Sequence, residues 1–484
     1  MQEDRAMRRE ASSQSPAAFD TAAPTINDRA PLTAVLLGAP DRGDAEWWSR
    51  VEARPAPLIE PVADGAACVT FLWRDRQGCE RTSPIERVYA DVNSVTDHHS
   101  FTPQSLERIG GTDIWFWQVE LPMDWRGTYG FIPVDATRRP PAVPSDLRAK
   151  DRLQRAWWCS ILPLAIADPL NPLTAHTLGR RIPVSPLHLP DAPNYDLWHG
   201  IDSGRPIPTG TRDLIEIKWV SRVQNKRRKI WIYITGDEQR VVPADGYALV
   251  LLLDGSNWVE QTPIHPVLDL ETASGRLPPA VYVFIDAIDG DNRNEDLPCN
   301  PAFWQAVRDE LLPLVADIAP VTADPARSAV IGQSYGGLAA VYAGFCMPDR
   351  FGLILSQSGS FWWPNFDALR SSQNQAERRD AARTGWLMKQ VEAGIPIPGT
   401  PPGNRLRVFM EVGRREDDMI DASDAMDAAL GQAGHDVFYR QFEGGHDGLC
   451  WRNGLIDGLR WLFARPSSSE GRSPGKDNSQ KRMP

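Results

Sequence analysis

The sequence predicts an α/β domain, a mostly parallel sheet with helices on both faces, preceded by an antiparallel β-sandwich. From about residue 213 apolar runs of strand length alternate with helix-like segments, and runs apolar on both faces indicate a sheet covered on both sides. Between about 30 and 135, short β runs are separated by Gly, Asp and Pro turns at the spacing of an antiparallel sandwich. Over 484 residues, 42% hydrophobic and 24% charged is the balance of a water-soluble chain with a sizeable core.

Taken in order, residues 1–30 are rich in Ala, Ser, Asp, Arg and Gln without apolar periodicity, and disorder is expected there. Residues 31–135 form the expected sandwich, with Val69–Trp73 and Ile114–Leu121 as its clearest strands. A Pro-rich connector is expected over 136–212. The α/β domain spans 213–465, with strands at Lys229–Thr235, Tyr247–Asp254, Val281–Asp286, Ala329–Gly332, Leu353–Ser356, Leu406–Val412 and Val437–Phe442. Helices are expected at Pro301–Ala316, Gly336–Phe345 and Asp421–Ala433. Residues 466–484 read as a disordered tail.

Charge and cysteine usage narrow the function classes. A net charge of -11 argues against a general nucleic-acid binder, which needs a basic excess to neutralise phosphate. No stretch has the length of a membrane span, and the N-terminal segment carries charges of both signs without an apolar core, so no export signal is expected. Six scattered cysteines suggest neither a zinc site nor a disulfide framework, and the cytoplasm is the expected compartment. The run Lys226–Lys229 reads as a solvated charge run before an edge strand.

The sharpest local signal is Gly332-Gln-Ser334-Tyr-Gly336, with an apolar strand before it and a small-residue helix start after it. A serine on such a turn presents its hydroxyl above the sheet, as in α/β-hydrolases, so Ser334 is the candidate nucleophile. A serine hydroxyl needs a base within reach. Of eight histidines, His446 lies in a glycine-rich loop just after the last strand, whereas His435 precedes that strand at the opposite edge. His98, His99, His176, His188 and His199 lack ligand spacing and read as loop histidines. The orienting acid should fall between serine and histidine in chain order; Glu416 is favoured, with Asp417 and Asp418 as rivals that also suit capping of the next helix. The oxyanion donors are expected to be the Tyr335 amide and one amide among Gly255, Ser256 and Asn257.

The segments GQSYGGLAAVYAGFCMPDRFGLILSQSGSFWW (332–363), FIDAIDGDNRNEDLPCNPAFW (284–304) and FEGGHDGLCWRNGL (442–455) together resemble the enterochelin (enterobactin) esterases. So do VTDHHSFTPQSLERIGGTDIWFWQ (95–118), DWRGTYGFIP (124–133) and AIADPLNP (165–172) in the first half. The resemblance implies an α/β-hydrolase that cleaves the esters of ferric tri-catecholate siderophores, with Ser334 as nucleophile, His446 as base and the acid at Glu416. It also places Arg293 where the family holds catecholate. An extra acid after Glu416 departs from the family pattern.

A ferric tris-catecholate is a bulky aromatic trianion, and Arg293 with Trp258, Trp362, Trp363 and Trp451 would supply a cationic, aromatic cavity within an acidic protein. Arg108, Trp115 and Arg126 are further candidates to cover it, though single residues of these types more often pack. No cofactor and no protein-bound metal are expected, iron arriving with the substrate; neither nucleic acid nor membrane is an expected partner. Two alternatives remain: a feruloyl or acetyl esterase acting on carbohydrate, with a sugar-binding sandwich, and a catalytically dead siderophore-binding protein.

Overall fold

The computed structural model describes residues 26–177, 182–193, 195–205, 213–236, 242–394 and 405–464. Of the segments expected to be disordered, residues 1–25 and 466–484 lie outside the described residues, as does the side chain of His199. Within 26–30, by contrast, the Asn27 N–H donates to Gln118 at 2.7 Å and Ala30 is fully buried. Two compact units emerge. One comprises residues up to Ala90, His98–Met123 and Phe131–Pro172; the other comprises Asp91–Asp97, Asp124–Gly130 and Leu173 onward.

Seven strands, β1 (Leu58–Pro61), β2 (Ala66–Arg74), β3 (Ile85–Val92), β4 (Ser105–Arg108), β5 (Ile114–Pro122), β6 (Arg126–Asp135) and β7 (Ser185–His188), run in the order β1-β2-β5-β4-β3-β6-β7. The corner is β4. Its Ser105 and Leu106 pair with β3, whereas Glu107 and Arg108 pair with β5, the behaviour of a strand that passes from one layer of a sandwich to the other. Across the layers Phe71 of β2 meets Phe131 of β6 edge-on at 6.4 Å. Arg108 is held inside its own unit, on Asp75 at 2.6 Å and over the Trp115 ring at 4.5 Å.

Three helices of this unit were not anticipated. Pro31–Leu37 and Ala45–Glu52 bring Leu36, Leu37, Trp47, Trp48 and Val51 against Leu58, Leu72, Ile114 and Phe116. The segment read as Pro-rich connector contains a 15-residue helix, Leu147–Ile161, N-capped by Asp146. It seats Trp157 and Trp158 against Tyr89 at 5.8 and 6.5 Å.

The second unit carries the eight strands β8 (Ile215–Ser221), β9 (Lys226–Ile234), β10 (Ala248–Leu252), β11 (Ala280–Ile285), β12 (Ser328–Gln333), β13 (Leu353–Gln357), β14 (Arg407–Gly413) and β15 (Asp436–Phe442). Their order is β15-β14-β13-β12-β10-β11-β9-β8, with β9 antiparallel to both neighbours and the strands from β11 to β15 parallel. Strand periodicity divides the core between two faces. Leu249, Leu251, Val283 and Val330 pack with helix Tyr335–Cys346, while Val250, Leu252, Tyr282 and Ile331 pack with helix Gly448–Phe463. The long helix expected at Pro301–Ala316 is interrupted by a π turn at Val307–Leu311, just before Pro313, which has no N–H to continue the α ladder.

Lys226–Lys229 does not precede an edge strand: it opens β9, which has a strand on each side, and β8 is the edge. Arg227 and Lys229 are exposed, as expected of a solvated charge run, whereas Lys226 and Arg228 turn to Asp296. Arg228 is only 4% exposed, donating to Asp296 at 2.7 Å and to the Asp286 carbonyl at 3.2 Å, so a buried carboxylate, rather than water, neutralises it.

Candidate active site

Ser334 sits at φ 58°, ψ -120° between β12 and helix Tyr335–Cys346, the positive φ that the sharp strand-to-helix turn requires of a non-glycine residue. Gly332 makes the turn possible, because a Cβ there would lie 2.1 Å from the Gly336 carbonyl oxygen. The Ser334 N–H donates to Gln357 O at 3.0 Å, and its carbonyl accepts from Ser360 N at 3.0 Å. Its hydroxyl lies 3.3 Å from Ser360 Oγ; among the described residues no hydrogen bond joins it to His446, a contact that often tightens only around substrate.

His446 Nδ1 is 2.6 Å from Glu416 Oε2. Glu416 Oε1 accepts from Gly413 N and from Ser358 Oγ, each at 2.7 Å. An ionised carboxylate only accepts, so the imidazole carries its proton on Nδ1 and leaves Nε2 free to take one. Asp417 is exposed and Asp418 is paired with Arg378 at 2.7 Å, so of the three candidate acids it is Glu416 that meets the imidazole. His435 lies at the opposite end of β15, where its Nδ1 accepts from Leu406 N at 3.1 Å.

The His446 loop is tied down by residues that no motif or titratable group singles out. Asn93 Nδ2 donates to His446 O at 3.1 Å, and the Thr128 amide and hydroxyl donate to Asp447 Oδ2 at 2.6 and 2.8 Å. Asp447 Oδ1 in turn caps helix Gly448–Phe463 through Leu449 N at 2.9 Å. Asn93 and Thr128 come from segments inside the expected sandwich, yet they belong to the same compact unit as His446. Neither is titratable nor in a catalytic motif; only the quoted likeness around DWRGTYGFIP covers Thr128.

Ser334 and His446 line one cavity of about 470 Å³, with Asp254, Ser256, Asn257, Trp258, Asp286, Arg293 and Trp451 in its wall. Tyr335 supplies the first amide of helix Tyr335–Cys346, one of the N-terminal donors without a partner in the helix ladder. In the opposing loop the Asn257 amide is engaged by Asp254 O at 3.0 Å. Gly255 lies against the β11 backbone, where a Cβ would come within 2.7 Å of Phe284 C, and Ser256 faces the cavity.

Arg293 reaches the wall but is not a free cation. Its Nε and Nη2 grip both oxygens of Asp254 at 2.7 and 2.8 Å, and Nη2 also donates to Gln333 O at 3.2 Å. Burial alone would lower the guanidinium's pKa, yet the Asp254 carboxylate outweighs it and the net shift is upward. The tryptophans separate. Trp258 and Trp451 line the cavity; Trp362 does not, its indole donating to Met419 Sδ at 2.9 Å and its ring packing on Phe366 and Tyr335. Trp363 packs on Trp386, and Arg126 donates to Pro193 O at 3.1 Å. Cys450 is no rival nucleophile, because burial pushes its thiol far up.

Residues 68–198 match the family model "Enterochelin esterase, N-terminal" and residues 223–462 match "Putative esterase". The chain is 47% identical to an iron(III) enterobactin esterase of Dickeya dadantii over 89% of its own length and 96% of the relative's. It is 43% identical to that of Escherichia coli K12 over 86% and 96%. Among solved structures, the ferric enterobactin esterase of Salmonella typhimurium superposes with a TM-score of 0.73 at 40% identity, covering 87% of this chain and 98% of that one. An enterobactin esterase of Shigella flexneri, solved in the presence of enterobactin, gives 0.70 at 41% identity, covering 87% and 98%. With the likeness running through both halves and nearly the whole length of each relative, this chain belongs to the family of iron(III) enterobactin esterases.

Proposed function

We propose that this chain is a serine esterase that hydrolyses the ester bonds of ferric enterobactin-type tri-catecholate siderophores and so releases iron in the cytoplasm. The observation that carries the reading is the buried Glu416 at 2.6 Å from His446 Nδ1, over a cavity that also holds Ser334 on its strained turn. The solved relative crystallised with enterobactin supports the substrate class.

In this reading His446 Nε2 removes the Ser334 proton as Oγ attacks a lactone carbonyl. Glu416 holds the imidazole in the required tautomer and stabilises the imidazolium. The Tyr335 amide, at the positive end of its helix, and the Ser256 or Gly255 amide hold the oxyanion. The imidazolium then returns the proton to the leaving serine hydroxyl, and water activated by His446 releases the acyl group. Arg293 with Trp258 gives an aryl arm a cationic and an aromatic contact. Iron is cargo of the substrate, and opening the lactone weakens the hold on it. Among the described residues no helix is long and apolar enough to cross a membrane.

Chromatography of the products from cyclic and linear tri-catecholates, with and without iron and beside a feruloyl ester, tests the reading. Ring-opened serine esters from the trilactone at rates well above feruloyl cleavage are expected. Faster feruloyl cleavage, or no turnover of either, contradicts it.

A further inference from the structure

The Trp451 side chain touches the His446 half of the Glu416–His446 pair and is linked to the Glu416 half through Ser358. Its ring meets the imidazole edge-on, centroids 4.7 Å apart at 83°, and its indole N–H donates to Ser358 Oγ at 3.1 Å. Ser358 Oγ is 2.7 Å from Glu416 Oε1. Counting protons fixes the direction of this chain. An indole nitrogen can only donate, so Ser358 accepts there; an ionised carboxylate can only accept, so the single hydroxyl proton of Ser358 points at Glu416. Together with Gly413 N at 2.7 Å it engages Oε1, and Oε2 is the oxygen left to face His446.

Both residues are held for this geometry. Ser358 is fully buried at φ 48°, with its N–H on Glu411 O at 2.7 Å. The main chain of Trp451 is fixed from the same strand end, because the neighbouring Gln357 donates through Nε2 both to Trp451 O at 2.8 Å and to Glu411 Oε1 at 2.6 Å.

We propose that Trp451 and Ser358 are positioning residues of the catalytic base: the indole N–H commits the Ser358 hydroxyl to Glu416 and thereby selects the carboxylate oxygen that orients His446. The inference rests on the esterase reading of the site. It gives Trp451 a role separate from contact with a siderophore arm.

The test compares wild type, Trp451→Phe, Ser358→Ala and the double variant, measuring kcat and KM on a p-nitrophenyl acetate probe and on the cyclic trilactone. The phenyl ring keeps an aromatic face while removing the indole donor along with some ring volume. Each single change lowers kcat roughly tenfold or more on both substrates, the scale of a lost hydrogen bond to a charged group, with KM on the small ester little changed. The double variant falls little further than the worse single one, since both act through one chain of bonds. A wild-type kcat in folded Trp451→Phe, or an effect confined to KM for the trilactone, overturns the inference; Trp451→Phe carries the test alone should Ser358→Ala fail to fold. A wild type inactive on both esters sinks the esterase reading and this inference with it.

Discussion

Glu416 is buried, accepts from the Gly413 amide and the Ser358 hydroxyl, and faces His446, and on the esterase reading its charge orients the base. Glu416→Gln keeps the volume and removes that charge, and kcat is expected to fall on the order of 10³- to 10⁴-fold with little change in KM. Steady-state kinetics of the purified variant checks this. Arg293 poses the harder separation, because it both lines the cavity and neutralises the buried Asp254. Arg293→Met is expected to cost about 3–5 kcal/mol of stability by stranding that carboxylate. Adding Asp254→Asn should restore much of the denaturation midpoint while KM for the tri-catecholate stays raised, which tells the structural part from the binding part. Ser334, His446 and Glu416 were legible because their chemistry demands those residue types at strand ends in that chain order. Ser358, Asn93 and Thr128 were not: a buried serine or threonine looks the same in sequence whether it holds a catalytic carboxylate or a turn.

The strand-to-helix element around Ser334 depends on backbone proximity more than on side chains. A Cβ at Gly332 would lie 2.1 Å from Gly336 O and 2.7 Å from its Cα, backbone atoms that cannot give way. Gly332→Ala is therefore expected to destabilise by roughly 1–3 kcal/mol and to abolish turnover. The contrasting substitution is Gly431→Ala, near the end of the exposed face of helix Asp418–Gln432, where an added Cβ meets nothing within 4 Å. It should stabilise by roughly 0.4–1 kcal/mol through the unfolded chain's lost freedom, with activity intact. Thermal melts of the two variants beside wild type check the opposite signs. At this scale the central strands were readable because β10 to β14 are apolar on both faces. The helix Leu147–Ile161 was obscured by the prolines flanking it, although Asp146 was a capping signal. Lys226–Lys229 misled because alternation along β9 sends Arg228 inward to a carboxylate 68 residues away in the chain, which local charge density does not reveal.

At the scale of the larger unit, a fully buried Asp202 ties residues of the expected connector to the helix that follows His446. It accepts from His176 at 2.7 Å, His188 at 2.9 Å and Arg452 Nη1 at 2.9 Å, the last on helix Gly448–Phe463. Burial alone would raise the carboxyl's pKa, but these partners hold it far below the ordinary range. The folded value being depressed, this stabilisation is complete above the unfolded value near 4 and is lost as pH falls through the range below it. Burial also lowers His188, so a second loss begins as pH drops below about 6.5, where the unfolded chain takes up a proton that the folded one resists. Asp202→Asn leaves Arg452 buried without a countercharge and is expected to cost about 3–5 kcal/mol at neutral pH. Urea denaturation from about pH 2 to pH 8 checks both the magnitude and the direction. None of this cluster was legible, since its members are spread from 176 to 452 and their meeting is a product of the fold.

On the esterase reading one hydroxyl, that of Ser334, does the chemistry on the ester. Wild type and Ser334→Ala are incubated with ferric enterobactin, and the trilactone and its ring-opened products are followed by chromatography. Rapid ring opening is expected from wild type, and a loss on the order of 10⁴-fold or more from the variant, with its fold unchanged. Ring opening by Ser334→Ala at the wild-type rate would contradict that reading.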